Sequence, residues 1–168
     1  MTQQAPDLGT TLYVKKTIAA PRDLVFKAWT EPEMLKQWWG VEESFSTPIA
    51  EVDLRTGGRY RLGMQAPGES APYVVYGVYR EVRSPEKLVF TWQWERPDGA
   101  APDASVDPSH TGNFQEMLVT VEFLDLGGST EVVVTHEHFP DQNSKDEHTQ
   151  GWNGCLNQLA RLVERAGS

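Results

Sequence analysis

Few side chains in this 168-residue chain have a wide chemical repertoire: four histidines and one cysteine lead them. His136 and His138 are one residue apart, so on a strand they share a face. His148 follows ten residues later and could approach them. Such imidazoles, with a carboxylate, could make a tetrahedral zinc site. Near neutral pH an imidazole could instead act as a general acid or base. His-x-His on a strand is common without metal, and no carboxylate is predicted on the same inner face. Buried, hydrogen-bonded histidines are therefore the favoured reading, and no metal is expected. Cys155 falls on the apolar face of a helical pattern, where a thiol is normally inert core. A lone cysteine also rules out an internal disulfide framework. No Gly-x-Ser-x-Gly, phosphate loop or Gly-x-Gly-x-x-Gly follows a strand, and no cofactor is expected. The most distinctive turn is Asp53-Leu54-Arg55-Thr56-Gly57-Gly58-Arg59-Tyr60. Asp53 and Arg55 suit a surface ion pair on a rigid hairpin, and anchoring of a substrate by Arg55 is the second reading.

The elements that would carry these groups follow from periodicity. Residues 1–10 read as a flexible tail, and 11–168 as one domain. Thr11 to Ile18 reads as a strand. Pro21 suits a first helical turn, and Val25, Phe26 and Trp29 make an apolar helical stripe. Thr30 and Glu33 have the spacing of a capping box for a second short helix carrying Leu35, Trp38 and Trp39. Period two then takes over. It predicts strands over Ser44–Leu54, Gly58–Gln65, Tyr73–Val82, Lys87–Glu95, Gln115–Leu126 and Thr130–Phe139, with short breaks that imply an antiparallel meander. Residues 96–113, rich in Pro, Gly and small polar side chains, read as a long, mobile loop. Ser144 to Ala166 reads as one long helix with His148, Trp152, Cys155, Leu156, Leu159, Leu162 and Val163 inward. An antiparallel sheet followed by one long helix buries a face most economically by curling around that helix. This is an α+β architecture of seven strands.

Alternation also places side chains. Leu88, Phe90, Trp92 and Trp94 share one face of their strand, Val132, Val134, His136 and His138 share another, and Tyr60, Leu62 and Met64 a third. Trp152 comes opposite them on the helix. Such aromatic stripes either fill a core or wall an apolar cavity with a few polar groups, the usual form of a small-molecule site. The cavity is the expectation, with Tyr60, Leu62, Phe90, Trp92, Trp94, Val134, His136, His138 and Trp152 as ligand-binding residues and Arg55 as a further polar selector.

The net charge is -9. Residues 1–94 balance at 11 acidic and 11 basic side chains, whereas residues 95–150 hold 12 acidic and 2 basic ones. That block reads as a solvated face, with docking of a basic partner as the alternative. An acidic chain is a poor nucleic-acid binder. No apolar run is long enough for a membrane span, and no secretory signal is visible at the N-terminus, so the expected location is the cytoplasm.

Several segments together resemble a known family. They are Ala20-Pro21, Val25-Phe26-Lys27-Ala28-Trp29-Thr30-Glu31-Pro32-Glu33 and Trp38-Trp39-Gly40, then the Asp53–Tyr60 turn, Gly77-Val78-Tyr79-Arg80-Glu81-Val82, Pro85-Glu86-Lys87-Leu88-Val89-Phe90-Thr91-Trp92, Thr130 through His136, and Gly151-Trp152. Over residues 12–165 the chain is similar to the Aha-type family, named for the activator of the heat-shock-protein-90 ATPase, within the START-like (SRPBCC) helix-grip superfamily. The resemblance implies a seven-stranded antiparallel sheet gripping a C-terminal helix, with a cavity used across the superfamily for lipids, sterols, polyketides and other hydrophobic molecules. It transfers no catalytic motif. Val41 departs from the family's frequent Pro, and the 96–113 loop is longer than usual.

The leading expectation is a module that encloses a small hydrophobic or aromatic ligand, selected by His136, His138 and Arg55. The first alternative is a cyclase- or hydrolase-like enzyme using a cavity histidine. The second is a chaperone-cofactor-like interaction module of the stress response, with a chaperone or a second copy of the chain as partner.

Overall fold

The computed structural model describes residues 11–40, 44–70, 72–95, 117–139 and 142–166. The tail at 1–10, the loop at 96–113 and Val41 lie outside the described residues. The elements in chain order are β1 (Leu12–Ile18), α1 (Arg22–Thr30), α2 (Pro32–Trp38), β2 (Ser46–Val52), β3 (Arg59–Gln65), β4 (Tyr73–Arg83), β5 (Lys87–Trp94), β6 (Met117–Asp125), β7 (Thr130–Glu137) and α3 (Gln142–Ala166). The seven strands form one antiparallel sheet in the order β1-β7-β6-β5-β4-β3-β2. Strands β2 to β7 are the meander that the short turns predicted, and β1 adds at the far side of β7 with Leu12 opposite His136. No helix among the described residues is long and apolar enough to cross a membrane.

Local chemistry explains the start of the fold, with one correction. Pro21, at φ -68° and ψ 151°, precedes α1, and Asp23 in the first turn and Lys27 in the last suit the helix dipole. Thr30 does not cap α2. It closes α1 instead, and its hydroxyl donates back to the Phe26 carbonyl at 3.0 Å. Glu31 takes the cap position without a side-chain bond, and Pro32 opens α2. A threonine can bond backward to the i−4 carbonyl as readily as forward. The capping-box spacing was therefore present without the capping geometry.

The Asp53–Tyr60 turn is built by its glycines. Gly57 adopts φ 88°, and a Cβ on Gly58 would collide with the Asp53 carbonyl oxygen. The turn docks on β4 through Gly57 N–H to Tyr79 O and Tyr79 N–H to Gly58 O, both 2.8 Å. Arg55 Nε bonds the Asp53 carboxylate at 2.9 and 3.1 Å. The Arg55 side chain is 69% exposed.

The core lies between the inner face of the sheet and α3, with α1 and α2 closing one end. Tyr60, Leu62 and Met64, then Leu88, Phe90 and Trp92, and Val132, Val134 and His136 are all buried, as their alternation required. Trp152, Cys155, Leu156, Leu159 and Val163 of α3 are buried, and Leu162 is half-buried. His138 breaks the pattern. It follows the end of β7, takes φ 79° and is exposed. The left-handed backbone at that residue ends the alternation, so the side chain leaves the inner face.

Candidate functional site

All six tryptophans of the chain meet in one aromatic cluster. They come from α1 (Trp29), α2 and its C-cap (Trp38, Trp39), β5 (Trp92, Trp94) and α3 (Trp152). Trp92 is the hub, with ring centroids 5.9 Å from Trp39, 5.2 Å from Trp152, 5.5 Å from Trp94 and 5.0 Å from His136. Trp29 stacks on Trp152 at 5.8 Å and 24°. Phe139 and His148 extend the cluster beyond His136, at 4.4 and 5.3 Å from its ring.

The polar atoms of this cluster divide into two groups. Near α3 they satisfy one another. Trp152 Nε1 donates to His136 Nδ1 at 3.0 Å, and Trp94 Nε1 donates to His148 Nε2 at 3.0 Å. His148 Nδ1 lies 2.9 Å from the Ser144 carbonyl, to which it can only donate. Trp38, beside α1, donates to the Ala28 carbonyl at 2.8 Å. In contrast, Nε1 of Trp29, Trp39 and Trp92 and Nε2 of His136 are buried and have no partner among the described residues.

These bonds fix the imidazole tautomers. Because Trp152 donates to Nδ1 of neutral His136, the ring proton sits on Nε2, and the unpartnered atom is a donor. Burial holds the His136 pKa well below its usual value, reinforced by the charges His148 and His138 would carry. Burial also lowers that of His148, against opposing effects of the Ser144 carbonyl and Glu147. Both rings are therefore neutral near pH 7, and His136 presents an N–H where a base would need a lone pair. Cys155 is buried, and burial pushes its thiol up to about 12, partly offset by a hydrogen bond with the Gly40 backbone. It is no nucleophile at neutral pH. Among the described residues no three of His, Cys, Asp and Glu are grouped as metal ligands would be.

Among the described residues, a void of about 20 Å³ is bordered by Trp29, Trp39, Tyr60, Leu62, Phe90 and Trp92, with Leu35, Tyr79 and Leu88. That is room for about one water molecule. It lies between the two short helices and strands β3 to β5, away from α3. Of the expected lining residues, Tyr60, Leu62, Phe90 and Trp92 border it. Val134, His136 and Trp152 are buried in the core and do not border it, and Trp94 is half-buried at the rim of the cluster. His138 lies elsewhere, on an open hollow with Arg80, Val89 and Leu118. Arg55 is on the exposed turn, paired with Asp53.

Trp29 and Trp39 had been legible only as apolar helix residues. Nothing in their spacing tells that Trp39 meets Trp92 of β5 and Trp29 meets Phe123 of β6. Tyr60 adds a polar atom to the wall, and its hydroxyl donates to the Thr91 carbonyl at 2.5 Å.

A curled seven-stranded sheet closed on a long C-terminal helix defines the helix-grip class, compatible with ligand binding in a cavity. Residues 19–164 match the family described as activator of Hsp90 ATPase homolog 1-like protein, and the chain belongs to that family. Solved structures agree. Protein CV1439 from Chromobacterium violaceum is 25% identical, with a TM-score of 0.75 over 92% of this chain and 97% of its own. The AHSA1-like protein from Aeromonas hydrophila is 25% identical, with a TM-score of 0.72 over 94% of each chain. The AHSA1 protein from Silicibacter pomeroyi, 24% identical, shares the fold with a TM-score of 0.74 over 91% of this chain and 96% of its own. The chain matches no curated protein.

Proposed function

We propose that this protein binds a small hydrophobic or aromatic molecule inside the aromatic cluster, between the short helices and the sheet. One observation carries the reading: four buried N–H donors, on Trp29, Trp39, Trp92 and His136, have no partner among the described residues. A buried donor left unmade costs about 1–3 kcal/mol. An acceptor on a ligand placed among them would satisfy them. The void of about 20 Å³ is the seed of the site, and it must enlarge on binding. Trp39 is the wall best placed to yield. It hangs from the C-cap of α2, not from a strand, whereas Trp92 is locked within β5.

The neutral His136 supports a binder over the acid–base enzyme, because its one free ring atom is a donor. The family's description refers to the Hsp90 ATPase, and chaperone docking is the reading from another class. Titration with an environment-sensitive apolar fluorophore tests the proposal. Saturable, stoichiometric binding that also changes Trp emission supports it. A folded protein without saturable binding and without co-purified ligand in native mass spectra overturns it. Salt-sensitive capture of a purified chaperone in that case would favour docking.

A further inference from the structure

The unpartnered groups of the interior have a common sense: each is an N–H donor. Three of them, the indoles of Trp29, Trp39 and Trp92, belong to side chains that border the same void. The rest of that border is Leu35, Leu62, Leu88, Phe90 and two tyrosines, Tyr79 and Tyr60, of which the Tyr60 hydroxyl donates to the Thr91 carbonyl. Among the described residues no Lys or Arg borders it. We infer that the site takes a neutral, flat molecule bearing a carbonyl-type acceptor, such as an aryl ketone or quinone, and that the indole N–H groups of Trp29, Trp39 and Trp92 select it. The inference rests on the binding role proposed above and names the ligand class of that site.

The physical reasoning has three steps. An apolar ligand without an acceptor fills space but leaves the buried donors unmade, so it gains only contact area. A carbonyl oxygen, with two lone pairs, relieves one or two of them. A carboxylate would also accept these bonds, but it brings a full charge into an apolar enclosure that offers no cation to balance it. Discrimination of this kind is strong, because a site built around unpaired polar atoms penalises the analogue that lacks the matching group.

Three matched probes of one skeleton test this: indane, 1-indanone and indane-1-carboxylate. Each is titrated against the full chain by displacement of the apolar fluorophore. The expected order places 1-indanone about tenfold or more tighter than indane, and the carboxylate at least tenfold weaker than the ketone. Trp29→Phe, Trp39→Phe and Trp92→Phe each remove one N–H and keep an aromatic ring. At least one of the three should reduce the preference for ketone over indane by threefold or more. Equal binding of indane and 1-indanone to the wild type overturns the inference and leaves the binding role standing. A ketone preference unchanged in all three folded variants also overturns it, since other groups would then be the selectors. If none of the probes displaces the fluorophore, the ligand class is wrong while the binding role stands. If the fluorophore itself does not bind, both fall. The comparison on the wild type remains decisive should a variant fail to fold.

Discussion

The aromatic cluster has two halves that use the same residue types differently. On the α3 side, indole meets imidazole twice, Trp152 with His136 and Trp94 with His148, and the donated bonds are made. On the α1–α2 side, Trp29, Trp39 and Trp92 pack just as closely, yet their N–H groups go unmatched. Packing density does not separate a structural half from a receptive half here. The pairing of indole N–H groups does, made for Trp152 and Trp94 and unmade among the described residues for Trp29, Trp39 and Trp92. Hydrogen bonds made inside the protein fix side chains, and donors left over mark where something else belongs.

The largest expected effect is on the structural half. Trp152 is 3% exposed and touches Trp29, Trp39, Trp92 and His136. Trp152→Ala should destabilise the fold by about 3–5 kcal/mol, read from urea denaturation. A cost under about 1 kcal/mol would show that the α3 side is loosely packed, and the contrast between the halves would disappear.

Acid should act on the same half. The usual histidine pKa of 6.5 is lowered for both His136 and His148 in the folded protein. Below pH 6.5 the unfolded chain takes up protons that the folded one refuses, so stability is full above that pH and falls as the pH drops toward the folded values. Each group contributes up to about 1.4 kcal/mol per pH unit in that window. Protonation of His148 at Nε2 would also turn the acceptor of the Trp94 N–H into a donor. Trp emission should therefore change along with stability, and urea midpoints equal at pH 7 and pH 5 would refute the assignment of neutral rings.

A subtler test sets one indole against another. Trp152→Phe leaves His136 Nδ1 without its donor, while Trp39→Phe removes a donor that had no partner. With similar loss of volume, Trp152→Phe should cost more, by about 1 kcal/mol. Equal losses, or the reverse order, would mean that the Trp39 N–H is satisfied in solution.

The smallest effect belongs to the exposed turn. Arg55→Ala should change stability by less than about 0.5 kcal/mol, because exposed ion pairs contribute little. Fluorophore affinity should stay within about twofold. A tenfold loss of affinity would place Arg55 in the site.

How much was legible varies from element to element. The strands were read within about three residues at either end, since apolar alternation is imposed directly by the pleat. Alternation failed at His138, where a single residue with φ 79° ended the pattern. The capping box at Thr30 failed for a related reason. Spacing is a property of the sequence, whereas the direction of a hydroxyl depends on which helix claims the residue. The candidate lining was read correctly as inward for Tyr60, Leu62, Phe90, Trp92, Val134, His136 and Trp152. It could not be divided into residues that border a void and residues that pack beside it.

The sequence by itself determined the architecture and the inner face of each strand, because hydrophobic period and turn chemistry are local and each residue carries its share of them. It also determined that the interior would be aromatic. The tertiary structure alone decided which donors find acceptors. The Trp152–His136 and Trp94–His148 bonds join elements 16 and 54 residues apart in sequence, and the void brings α1, α2 and β3 to β5 together. Pairing of polar atoms depends on ångström-scale distance and direction between elements, which no local pattern encodes. The surplus of N–H donors around that void is therefore a property of the fold, although every tryptophan in it can be read from the sequence.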